Sequence, residues 1–267
     1  MKLSISNIAW PLKDEDAVLE YLRNRDFDAI EIAPSKIWGN LDNISAWDVE
    51  KYRDYIGGFG LGISSMHSLF YNTNGMKLFG NDEERSALLC FFNRLSDIAE
   101  ILEAPCMVFG SPKVRRCGRG SMKEAMESAS DILRKAGDYA YSRGTKILIE
   151  PLAVGDTNFI NTHQEGLELS TAVKSKGFGL HLDAKAISSE GLQLNEIIEE
   201  CGSRICHFHV NESGLGSFNS PQLQHEVMGE ALKKIGYAGY ASVEMKLLPE
   251  YFDEIKVAVD FLEKCYG

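Results

Sequence analysis

The chain has 267 residues, 44% of them hydrophobic, with 28 Lys and Arg against 39 Asp and Glu, for a formal net charge of −11. That balance argues against a broad grip on nucleic-acid phosphates and against docking on an anionic membrane surface. No run approaches the roughly 20 apolar residues of a membrane span, and the opening MKLSISNIAWPLKDEDAV is too polar for a signal peptide. The 6 cysteines include no C-x-x-C pair, so a reducing cytoplasm fits better than a disulfide framework.

Along the chain, short β-branched runs alternate with longer amphipathic segments. Strands are expected at Leu3–Ile8, Ala29–Ala33, Leu61–Met66 and Cys106–Phe109, then at Lys146–Glu150, Gly179–Asp183, Ile205–Val210 and Ala241–Met245. Helices are expected near Asp14–Arg25, Ala46–Ile56, Asp82–Glu103 and Met122–Arg143. The later helices fall near Gln164–Lys176 with Thr162 as N-cap, and near Leu194–Cys201, Leu223–Ile235 and Tyr251–Cys265. Strand-then-helix units imply parallel strands with right-handed crossovers, closed either as a doubly wound open sheet or as a (β/α)8 barrel. Eight units favour the barrel, and no linker divides residues 1–267, so an α/β fold with a single (β/α)8 TIM barrel domain is expected.

In such a barrel the chemistry lies at the C-terminal strand ends. Strand five ends at Glu150, strand six at Asp183 and strand eight at Glu244, while strand seven carries His207 and His209 on one face. Each carboxylate alone could simply cap a loop. Together at one barrel mouth they would repel without a cation. Three carboxylates and an imidazole suit a divalent ion of intermediate hardness, Mn²⁺ first, then Co²⁺, Mg²⁺ or Zn²⁺.

The segments VFGSPKVR, LIEPL with NFINT, GLHLDAKA, CHFHVNESGLG and GYASVEMK resemble the sugar isomerase/epimerase superfamily with the xylose-isomerase-like barrel. That group also holds ketose 3-epimerases, hydroxypyruvate isomerase, inosose dehydratase and the endonuclease IV type of nuclease. The resemblance covers nearly the whole chain and implies that Glu150, Asp183, His209 and Glu244 are the metal ligands. It further implies that Glu150 and Glu244 move the proton, one removing it beside a carbonyl and the other returning it through an enediolate. A dimer or tetramer is an expectation from the same source. Two departures stand out: the epimerases' His three residues after the strand-six Asp is here Ala186, and their Arg six residues after the metal His is Leu215. Both family residues hold substrate oxygens, so a different substrate is expected.

Further candidates for the substrate site are His67, His181, Glu212 and His225, each with a structural alternative as a packed or solvated side chain. Glu31 could bond substrate or a ligand residue, His207 could support the metal site, and Trp10 could wall the pocket. GSPKVRR after strand four supplies Lys113, Arg115 and Arg116, followed by Arg119, a basic loop that could take a phosphate or carboxylate or could simply be solvated. Asn158 and Asn161 read as turn formers more than as substrate contacts.

The leading expectation is a metal-dependent isomerase or epimerase of a small sugar, sugar phosphate or sugar acid. A dehydratase would use much the same site. A nuclease would need more histidines than the 6 present and a DNA-binding face. A non-catalytic sugar-binding protein would have no need of two proton-moving glutamates.

Overall fold

The computed structural model describes residues 1–118 and 120–267. Arg119, one of the four cations read in the loop after strand four, lies outside the described residues. Eight parallel strands close into a barrel in chain order: β1 Lys2–Ser6, β2 Ala29–Ile32, β3 Gly62–Met66, β4 Met107–Phe109, β5 Ile147–Ile149, β6 Phe178–Asp183, β7 Ile205–Val210 and β8 Tyr240–Val243. β8 returns to β1 in the register Lys2↔Tyr240 to Ile5↔Val243. The strands lie where the apolar runs put them, within one or two residues, and the barrel rather than the open sheet is the closure adopted.

Among the described residues, ten α-helices surround the strands: α1 Glu15–Arg23, α2 Pro34–Trp38, α3 Ala46–Gly58, α4 Asp82–Leu102, α5 Met122–Ser142, α6 His163–Val173, α7 Ala184–Ser188, α8 Leu194–Cys201, α9 His225–Lys234 and α10 Tyr251–Tyr266. Local chemistry explains their starts. Ser45, Asn81 and Ser121 form full capping boxes with Asp48, Glu84 and Glu124, and Thr162 caps α6 through the Glu165 amide. α2 and α7 are five residues each, too short for a 3.6-residue period to register. α9 starts at His225 rather than Leu223, because the Gln222 and Leu223 amides instead donate to Glu212 Oε1 at 3.0 and 3.2 Å.

The apolar core lies between the strands and the helices, where Ile5, Ile30, Ile32, Leu180, Leu182, Phe208, Val210 and Val243 are buried against helix residues such as Leu19, Phe92 and Leu262. The buried strand residues outside that core are mostly polar, namely Ser4, Ser6, Glu31, Ser64, Ser65, His181, His207, His209 and Ser242, with Val108 and Leu148 as apolar members on β4 and β5. Ser4 of β1 and Ser64 of β3 join over the intervening β2 at 2.7 Å. Register shifts occur between Ile30 and Glu31 in β2 and between Leu180 and His181 in β6. Such irregularities re-aim side chains, and here they occur at two of the interior polar residues.

The outer layer tolerates little added volume where helices meet. A Cβ on Gly229 of α9 would lie 2.1 Å from the Cys265 carbonyl oxygen of α10. Gly229→Ala is expected to cost about 2 kcal/mol and so to lower the melting temperature by several degrees. An unchanged calorimetric midpoint would mean that these two helices do not pack this closely.

Candidate metal centre

The C-termini of β5 to β8 bring four side chains to one end of the barrel. Glu150 and Glu244 each follow the last residue of a strand but keep the ladder: the Glu150 amide donates to Phe109 at 3.4 Å and the Glu244 amide to Val210 at 3.0 Å. Asp183 ends β6 directly opposite His209 in β7. Asp183 also caps α7, with Oδ1 accepting the Ala186 amide at 2.8 Å, so its other oxygen is left for the site.

His209 divides its ring between two tasks. Nε2 lies 2.9 Å from Glu31 Oε1. Nδ1 is buried with no hydrogen-bond partner. Around it stand Glu244 Oε2 at 3.5 Å, Asp183 Oδ2 at 3.8 Å and Glu150 Oε1 at 4.0 Å. These gaps are too long for hydrogen bonds, yet they suit neighbours on one ion. Two ligands with bonds of about 2.0–2.2 Å stand at most about 4.4 Å apart. An orphaned imidazole nitrogen among three carboxylate oxygens therefore fits a divalent cation, with Glu31 as the carboxylate that orients the ligand ring.

Glu31 is wholly enclosed and saturated. It accepts from Ser65 Oγ at 2.5 Å, from His207 Nε2 at 3.2 Å and from Ser242 Oγ at 3.1 Å, besides His209. Burial opposes its charge, but the neighbouring imidazoles, His209 foremost, hold its pKa well below the usual carboxylate range. His67 supports the opposite side, with Nε2 2.6 Å from Ser6 Oγ and Nδ1 3.3 Å from Glu244 Oε1. Asn211, which the sequence did not single out, donates from Nδ2 to Asp183 Oδ2 at 2.5 Å and to Glu244 Oε2 at 3.1 Å. Its one sequence signal is its place directly after β7, a position easily read as a turn.

The two glutamates sit in opposed electrostatic states. Burial and the nearby Asp183 and Glu244 push Glu150 up to about 8. Burial would also raise Glu244, but His209 and His67 hold it down at about 2. Burial and Glu244 raise Asp183 to about 6. Burial disfavours a charged His209, yet Glu31 and Glu244 lift its pKa well above the ordinary imidazole value.

A cavity of about 240 Å³ opens over these groups, lined among others by His67, Ser68, Glu150, Asp156, Asp183, Lys185, His209, Asn211, Leu215 and Glu244. A larger hollow of about 660 Å³, with Lys2, Arg53, Gly62 and Tyr240, lies at the N-terminal strand ends and lacks the convergent ligand set.

Of the candidate substrate contacts, the fold brings His67 to the cavity and leaves five outside its lining. His181 is enclosed beneath the site, its Nε2 3.9 Å from Glu150 Oε1 and both ring nitrogens without hydrogen-bond partners. Its free nitrogen, with Glu150, Asp183 and His209, also falls within a 4.8 Å cluster of potential ligand atoms. Glu212 and His225 hold each other at 3.1 Å, and His225 Nδ1 meets Tyr266 Oη at 2.8 Å, so this pair braces the loop after β7. Lys113 is exposed. Arg115 is fully buried with no hydrogen-bond partner, and burial lowers its pKa to about 10, partly countered by Glu150. Arg116 donates to the Asp156 carbonyl at 3.2 Å, and Asn158 accepts from the Cys117 amide and donates to its carbonyl, tying the loops after β4 and β5. Asn161 likewise closes its own loop on the Leu152 and Thr157 carbonyls. Trp10 is buried in the core and does not line the cavity.

Two outcomes are expected. Glu31→Gln should weaken Mn²⁺ binding by about 10- to 100-fold in a metal titration, because it removes the charge that orients His209; undiminished affinity would remove Glu31 from that role. In the metal-free protein, Asp183 and Glu150 have folded pKa values of about 6 and about 8, above their ordinary values. The stability such raised carboxylates contribute is complete below their unfolded pKa and is lost as pH rises through the folded one. Raised His209 acts in the same direction. Buried His181, His207 and His225, whose pKa values are lowered, act oppositely below about pH 6.5. The melting temperature of the metal-free protein should thus fall between about pH 7 and 8, and Mn²⁺ should raise it more at the alkaline end of that range, where it displaces fewer protons. A flat profile with and without metal would contradict this electrostatic account.

Residues 19–265 match the family described as xylose isomerase-like TIM barrels. An L-ribulose 3-epimerase of Methylomonas sp. (strain DH-1) is 29% identical over 122 residues, covering 46% of this chain and 43% of that protein. A ketose 3-epimerase of Arthrobacter globiformis is 24% identical over 127 residues, 45% of this chain and 44% of that protein. The matches thus span under half the length of these curated relatives. In overall fold, the D-psicose 3-epimerase of Clostridium cellulolyticum H10 aligns with a TM-score of 0.81 at 19% identity, covering 100% of both chains. The E. coli 3-keto-D-glucoside 4-epimerase aligns with a TM-score of 0.78 at 19% identity, over 99% of this chain and 100% of that one. With its closed parallel barrel and a match that runs almost end to end, the chain belongs to the xylose isomerase-like TIM barrel family.

Proposed function

We propose that this protein is a divalent-metal-dependent epimerase or isomerase of a small keto sugar, acting by proton transfer at a carbon beside the carbonyl. The observation that carries this reading is the convergence of Glu150, Asp183 and Glu244 within 3.5–4.0 Å of the unpartnered His209 Nδ1. The similarity to ketose 3-epimerases supports it.

Glu150, Asp183, His209 and Glu244 would hold the ion, and Mn²⁺ suits a set of three carboxylates and one imidazole. His181 makes the less apt fourth ligand because it does not line the cavity, whereas Asn211 links Glu244 to Asp183. When bound, the ion polarises a substrate carbonyl and so acidifies the adjacent C–H. The protein's own contribution is the pair of glutamates. In the metal-free protein Glu244 is ionised, while Glu150, near 8, retains a proton at neutral pH. A bound cation would favour the ionised form of Glu150 as well, so each glutamate can take a proton and, once protonated, return it. Glu244 is aimed by His67 and Asn211, which fix both of its oxygens. A proton taken from one face and returned to the same carbon on the other inverts that centre. Returned to the neighbouring carbon, it yields the isomer.

The cavity of about 240 Å³ suits a monosaccharide. Neither Lys113 nor Arg115 lines it, which favours an uncharged sugar over a phosphate. The six cysteines are free thiols, in keeping with a reducing cytoplasm, and no described helix is long and apolar enough to cross a membrane.

The Mn²⁺-loaded protein, incubated in D₂O with a panel of pentuloses and hexuloses, should exchange a C–H beside the carbonyl. Glu244→Gln should slow that exchange by about 10²- to 10⁴-fold while the melting curve stays cooperative. Exchange at the wild-type rate in the Gln variant would overturn the assignment of Glu244.

A further inference from the structure

Four carboxylates line the cavity, and three of them surround His209 Nδ1; the fourth, Asp156, stands apart from that set. Lys185 is the one Lys or Arg among the described lining residues. Its Nζ lies 3.8 Å from Asp156 Oδ2. That gap is longer than a hydrogen bond, so each group keeps donor or acceptor capacity for a third party. Both side chains are part-exposed, 37% and 45%, so the pair is not held together by burial.

Both ends are nevertheless anchored to the site. The Lys185 amide donates to Asn211 Oδ1 at 3.1 Å, and the Nδ2 of the same Asn211 bonds Asp183 and Glu244. Lys185 also lies in the first turn of α7, which Asp183 caps. The Asp156 backbone is fixed by its amide on Ala153 at 2.9 Å and by Arg116 on its carbonyl. An ammonium that only donates now stands beside a carboxylate that only accepts, with both open to the cavity. A hydroxyl both donates and accepts, so two adjacent hydroxyls can satisfy the two groups together. A phosphate or carboxylate would satisfy Lys185 but be repelled by Asp156.

Resting on the keto-sugar reading above, we propose that Lys185, opposed by Asp156, is a specificity-determining residue that recognises a vicinal diol of the substrate, on the part of the sugar that extends from the metal site toward the loops after β5 and β6. The pair distinguishes sugars by the presence of that diol and takes no part in the proton transfer.

The test uses the Mn²⁺-loaded protein and matched ketoses, each with its mono-deoxy analogues, with binding followed by calorimetry and exchange followed in D₂O. One deoxy analogue should bind about 10- to 100-fold more weakly than its parent. Lys185→Met should erase that preference, raise KM for the parent ketose and leave both Mn²⁺ affinity and kcat within a few-fold of wild type. Lys185→Arg should restore part of the preference. If Lys185→Met discriminates between parent and deoxy sugars as the wild type does, or if no deoxy analogue is disfavoured, the diol role is wrong. Diol-dependent binding without any C–H exchange would overturn the epimerase reading and leave the Lys185 assignment standing.

Discussion

Every histidine of this chain is buried, and each comes within 4.0 Å of a carboxylate. That pairing is the constraint on which the rest of the molecule depends. Glu31, Glu150, Asp183 and Glu244 lie together inside a low-dielectric barrel, where unpaired ionised groups would cost several kcal/mol each. His67, His207 and His209, three interior serines and Asn211 provide the donors that make the cluster tolerable. The balance is incomplete without a cation, because His209 Nδ1 has no partner and Glu150 is forced toward its protonated form. The folded chain thus carries unmet electrostatics of the kind a divalent cation would satisfy.

This polar axis dictates how the fold is stabilised. Where a barrel usually fills its interior with Val, Ile and Leu, this one carries serines, histidines and Glu31 on most strands, with Val108 and Leu148 on β4 and β5. The apolar burden passes to the outer shell, where strand residues such as Ile30, Leu182, Phe208 and Val243 meet the helices. Close contacts such as Gly229 on Cys265 and Gly177 on the Gly137 carbonyl belong to that shell. The inner face is thus free to be chosen for chemistry, while the outer face meets the packing requirements.

Much of this was legible in the residues themselves, and the failures have physical causes. The eight strands and their order follow from runs of buried apolar residues, and Glu150, Asp183, His209 and Glu244 stand out because strand ends are where polarity interrupts such runs. Glu31 was only a possibility, since its partners Ser65, His209 and Ser242 are remote in sequence and meet only when the barrel closes. Arg115 looked like an exposed anion binder; no periodicity operates in the loop after β4 to signal that its side chain turns inward. Glu212 and His225 were read as separate polar residues, and their joining with Tyr266 depends on α9 and α10 packing side by side. α7 escaped notice because five residues cannot display a helical period, yet it brings Lys185 to the cavity.

The clustered carboxylates with His209 and the rim of the cavity occupy different parts of the chain. Glu150, Asp183, His209 and Glu244 are held by the ladder itself, where a shift of one residue would turn a side chain to the opposite face of the sheet. Leu215, Asp156 and Lys185 sit beyond the strand ends, on segments joined to the barrel by a few hydrogen bonds such as Lys185 to Asn211 and Lys246 to Leu215. Changing one of them alters the rim of the cavity without disturbing the registers that bring Glu150, Asp183, His209 and Glu244 together. Asn211 is the exception, since its carbonyl oxygen holds the Lys185 amide while its amide nitrogen spans Asp183 and Glu244. Through that one side chain, the position of the loop after β6 and the orientation of Glu244 become a single geometric condition.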